Sequence, residues 1–104
     1  MTPQMRAMVP SWYRPPVKAT YIERAAMVFG SSPAEMRGEG KSHVLCRPRW
    51  AVMLAMRRAG ISYPRIGARL GGRDHSTIVQ GVRRAEALLE TDADFAERFA
   101  LVLA

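Results

Sequence analysis

Cysteine is nearly absent from this chain. Cys46 stands alone among 104 residues, which excludes an internal disulfide and any framework built for an oxidising compartment. Set among apolar neighbours, it reads as a small core hydrophobe rather than a reactive thiol. Histidine is scarce too: His43 and His75, with Cys46, leave a zinc site one ligand short, so no metal is expected. No apolar run approaches the roughly 20 residues that a membrane span needs. The N-terminus has no apolar stretch ahead of a small-residue cleavage site. A cytoplasmic protein away from the membrane is therefore expected. Catalytic groupings are missing as well. Asp74-His75-Ser76 are contiguous, whereas a triad assembles from separated positions, so the chain is not expected to be an enzyme. Gly40-Lys41-Ser42 imitates the end of a P-loop, but Glu35 stands where the motif needs its first glycine. Neither a nucleotide nor any other cofactor is expected.

Acidic residues are almost missing from the middle of the chain. Between positions 37 and 84 only Glu39 and Asp74 oppose eleven Lys or Arg, a balance of +9, whereas residues 85–104 carry −4. With a net charge of +7 and a pI near 10.8, the basic middle points to one face made for a polyanion.

The chain is long enough for one modest core and too short for two. Pro3, Pro10, Pro15 and Pro16 mark residues 1–16 as a flexible, extended arm, because proline removes backbone donors and disfavours helix before it. Residues 17–104 read as one helical domain. Helical spacing of Val17, Tyr21, Ala25, Val28 and Phe29 predicts a first helix, stopped by Gly30. Ser32-Pro33-Ala34-Glu35 is a capping-box pattern for a short helix ending near Arg37. A loop over 38–43 follows. Arg47 to Ala59, with the apolar run Trp50–Met56, predicts a central core helix. Ser62 opens a short helix to Leu70, and Gly71-Gly72 break it. Asp74 to Thr91 carries the stripe Ile78, Val82, Ala85, Leu89, and a last helix presents Phe95, Phe99 and Val102. No segment alternates like a strand. The expected fold class is all-α.

Two helices joined by a tight glycine turn, over about 62–91, form the layout of a helix-turn-helix. In that layout Arg65 and Arg69 on the first helix face phosphates, and the N-terminal residues of the second enter the major groove. The side chains there suit base edges. Asp74 accepts from the exocyclic amine of cytosine or adenine, and His75 donates or accepts. Ser76 and Thr77 hydrogen-bond in either sense, while Arg73 grips a guanine or a phosphate. Of the adjacent pairs Arg57-Arg58 and Arg83-Arg84 only one member each can aim straight at a phosphate, since neighbours diverge by about 100° on a helix. Arg83 is the candidate from the second pair.

The string Gly72-Arg73-Asp74-His75-Ser76-Thr77 resembles the signature of the C-terminal DNA-binding domain of the bacterial replication initiator DnaA. Arg47-Pro48-Arg49, Ile66-Gly67 and Leu70-Gly71-Gly72 resemble further parts of that domain in the same order. The resemblance covers roughly residues 20–103. It implies a compact, Trp-repressor-like helical fold and sequence-specific binding of duplex DNA at initiator boxes. It also implies base contacts by Arg73, Asp74, His75, Ser76 and Thr77. Arg47, Arg49 and the loop residues Lys41, Ser42 and His43 would lie near phosphates or the adjacent minor groove.

Three departures stand out. Ser76 replaces the family's usual threonine and removes a methyl contact worth about 1 kcal/mol. The loop offers Lys41 and His43 where the family sends an arginine into the minor groove. Gly81 sits inside the recognition helix, where glycine costs roughly 1 kcal/mol against alanine, and so marks close packing against a neighbouring helix. The expected activity is regulation of replication initiation or of transcription by a stand-alone relative of the DNA-binding domain, bacterial or phage-encoded, without ATPase activity. The competing reading is an adaptor that keeps the fold and binds a replication-initiation protein instead of DNA.

Overall fold

The computed structural model describes residues 20–38 and the backbone from His43 to Ala104, with side chains from Leu45 onward. The expected arm over 1–16, and Lys41 and Ser42 of the expected loop, lie outside the described residues, as does the side chain of His43.

Thr20 is extended and accepts from the Glu23 amide at 3.2 Å, which starts α1, Tyr21–Phe29; Val17, the expected start, lies outside the described residues. The capping box operates as read: Ser32 Oγ accepts from the Glu35 amide at 3.1 Å, and Pro33 opens α2, Pro33–Arg37. Helix α3, His43–Arg58, begins four residues before the expected Arg47 and carries Pro48 inside it. So close to the N-terminus, the missing N–H of proline deprives only a first-turn carbonyl, and the buried ring fills core space instead. Helix α4 spans Tyr63–Arg69, α5 His75–Thr91 and α6 Ala93–Leu103. Among the described residues there is no strand, and the fold is all-α.

Helix α3 runs through the middle. Every residue from Ala51 to Met56 is buried, so this helix has no solvent face along those turns. Around it pack Ile22, Val28 and Phe29 of α1, Met36 of α2, Ile66 of α4, Ile78, Val82 and Ala85 of α5, and Phe95, Phe99 and Val102 of α6. Each large apolar side chain buried there contributes about 1.5–3 kcal/mol. The Phe95 ring packs between Phe29 and Phe99, with centroids 6.1 and 6.4 Å away. Gly81 is a contact point, as expected: a Cβ there would overlap Met53 Sδ and press on the Trp50 ring. Trp50 and Met53 of α3 meet Gly81 while Arg47 meets Asp92 just past α5, so α3 and α5 run antiparallel. Because α5 is anchored on the core helix along its length, its N-terminal turn is held clear of the core.

Candidate nucleic-acid interface

Helices α4 and α5 are joined by a turn built around one carbonyl. Gly67 O accepts from the amides of both Gly72 and Arg73, each at 2.9 Å. That leaves no room for a side chain at Gly67, where a Cβ would overlap the carbonyl of Arg73. Gly71 takes φ +80°, a left-handed conformation that glycine adopts without strain, and it presses against the carbonyl of Arg37. The turn is thus seated on α2 as well as on α4.

Beyond the turn, Asp74, His75, Ser76 and Thr77 are all exposed. Asp74 stands at the N-cap of α5, yet its side chain makes no capping hydrogen bond to the helix amides. Its carboxylate instead accepts from the Ser76 hydroxyl, and His75 Nδ1 lies 3.6 Å from its other oxygen. The Ser76 hydrogen bond holds the Asp74 carboxyl below the usual carboxylate range, with the neighbouring His75 acting in the same direction. Asp74 and His75 side chains are 68% and 65% exposed, so these groups face solvent and not the core. The result is a fixed negative acceptor at the positive end of a 17-residue helix.

The arginines divide into two sets. Arg65, Arg69 and Arg83 are exposed, and they make no hydrogen bond or ion pair with another described residue. Arg84 lies over the Trp50 ring at 5.7 Å and Arg57 over Tyr63 at 4.4 Å. Arg83 is therefore the outward member of its pair, as the helical geometry requires. Arg47 is half exposed and pairs with Asp92 at 2.6 Å.

Arg49 and Arg73 depart from their expected places. Arg49, expected near phosphates, is only 6% exposed. Its guanidinium donates to Glu35 O at 2.7 Å and to Met36 O and Gly38 O at 3.1 Å. Burial, and then the charge of Arg73, push that guanidinium below its ordinary pKa. Arg73, expected at a base edge, is half-buried and turned inward. It donates to Gly38 O at 2.6 Å, to Met36 O at 3.3 Å and to Leu70 O. Carbonyls left open at the C-terminus of a helix attract cations, and α2 is too short to satisfy its own. Both guanidinium groups are turned toward backbone carbonyls of the chain itself.

Two residues that the sequence reading did not place at the site lie beside it. Asp92 caps α6, its Oδ1 accepting from the Asp94 and Phe95 amides at 3.1 Å while Oδ2 holds Arg47. The capping half was readable from an aspartate standing before Ala93-Asp94; the pairing across 45 positions was not. Trp50 forms, with Arg83, Arg84, Ala87 and Leu88, a groove of about 300 Å³ beside α5. Among the described residues no group of three His, Cys, Asp or Glu side chains is placed to hold a metal, and no helix is long and apolar enough to cross a membrane.

Comparison with known proteins matches this arrangement to one family. The family model described as the bacterial DnaA protein helix-turn-helix matches residues 21–85. The chromosomal replication initiator protein DnaA of Jannaschia sp. is 42% identical over 77 residues, covering 73% of this chain and 16% of that protein. Its counterpart in Sphingopyxis alaskensis is 35% identical over 91 residues, 86% of this chain and 20% of the relative. In Caulobacter vibrioides the figures are 42% over 66 residues, 62% and 14%. The chain thus spans a fifth or less of the length of these relatives.

Proposed function

Because this chain belongs to the family of the bacterial DnaA protein helix-turn-helix, we propose that it binds double-stranded DNA sequence-specifically, at sites of the initiator-box kind. The observation that carries this reading is the exposed run Asp74–Thr77 on the free N-terminal turn of α5. In this reading that turn enters the major groove. Asp74 accepts from the amine of cytosine or adenine, His75 and Ser76 exchange hydrogen bonds with base edges, and the Thr77 methyl packs on a thymine methyl. With its hydroxyl donating to Asp74, the Ser76 oxygen is left to accept from a base amine. Arg65, Arg69 and Arg83 neutralise phosphates on either side and set the register of the helix. Arg47 reaches a phosphate by exchanging Asp92 for it. Lys41, Ser42 and His43 precede Arg47 and complete the phosphate or minor-groove contacts. Arg49 and Arg73 are left out of the contact set, since their donors are engaged by backbone carbonyls.

In this reading the chain acts by occupying its site. Occupation regulates replication initiation by competing for initiator boxes, or transcription as a small repressor. Fluorescence anisotropy with a labelled initiator-box duplex and a scrambled control, across a salt series, tests the reading. The expected result is a clear preference for the box, with log K falling by about 4–5 per decade of salt for four to six phosphate contacts. Equal, weak binding to both duplexes by the folded protein would sink it and turn attention to a replication-initiation protein as partner.

A further inference from the structure

Arg73 is the residue immediately before the N-cap of α5, and its guanidinium bridges the ends of two helices. Gly38 O and Met36 O belong to the end of α2, and Leu70 O to the end of α4. Arg49 brings a second guanidinium from α3 to Met36 O and Gly38 O. Two like charges share these acceptors, so the pair costs Coulomb energy that the carbonyl dipoles help to offset. The Arg73 backbone is fixed from the other side by its amide on Gly67 O. Main chain and side chain of Arg73 are therefore both clamped, and α5 leaves the clamp one residue later.

We propose that Arg73 is a positioning residue: it sets the direction and axial position of the first turn of α5, and so aims Asp74, His75, Ser76 and Thr77 together, without touching a base itself. The proposal rests on the DNA-reading function above. Lysine keeps the charge but is a compact point donor on a flexible stem, and it does not reproduce the planar fork that bridges separated carbonyls. The fold survives the exchange because Arg49 and the Gly67 turn remain. What changes is how firmly the four reading side chains are held.

The test uses the whole chain and its Arg73→Lys variant. In the free proteins, amide exchange at Gly72, Arg73 and Ile78 is followed against amides of α3 and α6. In the complexes, affinity is measured for the initiator-box duplex and each of its single base-pair substitutions. The expected result is faster exchange at the three turn amides alone. With it comes a loss of discrimination by about fivefold, part of what one base contact supplies, shared by every base pair that α5 reads, while binding to the scrambled duplex is unchanged. Loss confined to one base pair, with exchange unaltered, would overturn the proposal and make Arg73 a base reader. Faster exchange throughout the domain would overturn it too, by making Arg73 a general fold contact. Should the unaltered chain show no preference among duplexes, the DNA reading fails, and the exchange comparison still decides whether Arg73 sets the first turn of α5.

Discussion

Helix α5 has an aspartate at each end, and the two are used in opposite ways. Asp92, past its C-terminus, spends its carboxylate inside the protein, on two amides of α6 and on Arg47. Asp74, at the N-terminus, stands at a cap position but makes no cap bond, and it is kept outward by Ser76. The two carboxylates are about 25 Å apart along the 17 residues of α5. One closes a helix junction. The other leaves an exposed, charged acceptor at the start of a helix, bound within the chain by the Ser76 hydroxyl. Local chemistry is the same at both ends; the difference is whether the carboxylate faces the fold or solvent.

The largest effect expected from breaking this comparison is on binding. Asp74→Ala should reduce the preference for an initiator-box duplex by about 1–3 kcal/mol, about one base contact, and leave the stability unchanged to within roughly 0.5 kcal/mol. Anisotropy and a thermal melt on the same sample check both halves. The mirror substitution, Asp92→Ala, should do the reverse. It removes a cap and destabilises by about 1–2 kcal/mol, lowering the melting temperature by about 4–8 °C per kcal/mol, with the duplex preference retained.

Asp92→Asn sharpens the contrast, since asparagine caps as well as aspartate but carries no charge for Arg47. The Asp92 carboxyl is held below its usual range, first by the Phe95 amide and then by Arg47. A depressed carboxylate contributes stability that is complete above the unfolded value of about 3.9 and is lost as pH falls through the lower native value. Denaturant melts at pH 7 and below pH 4 should therefore show a smaller acid loss for Asp92→Asn than for the parent. An identical loss would remove Asp92 from the acid response. The smallest effect is at Ser76. Ser76→Thr keeps the hydroxyl on Asp74 and restores a methyl, so affinity for the box should rise by at most about 1 kcal/mol, with no change in the melt.

Much of the fold was legible because its signals are local. Ser32 and Pro33 start α2, the glycine pair ends α4, and the apolar run from Trp50 marks the core helix, each through bonds or sterics within a few residues. The boundary miss is local too. Helix α3 continues backward through Pro48, because a proline near a helix start is not a boundary when its ring is buried. The arginines were less legible. Arg49 and Arg73 sit in the same basic stretch as Arg65, Arg69 and Arg83, and nothing in their neighbours along the chain distinguishes them. Their inward placement depends on α2, 11 to 37 residues away, ending with its carbonyls aimed at them.

The sequence by itself determined the helical class, the glycine turn, the order of the helices and the polar run that opens α5, because propensity, capping and left-handed backbone are properties of short segments. Only the tertiary structure decided which charges face outward. A guanidinium satisfies a phosphate and a helix-end carbonyl with the same donors, so its role depends on which acceptor the packed fold brings within 3 Å.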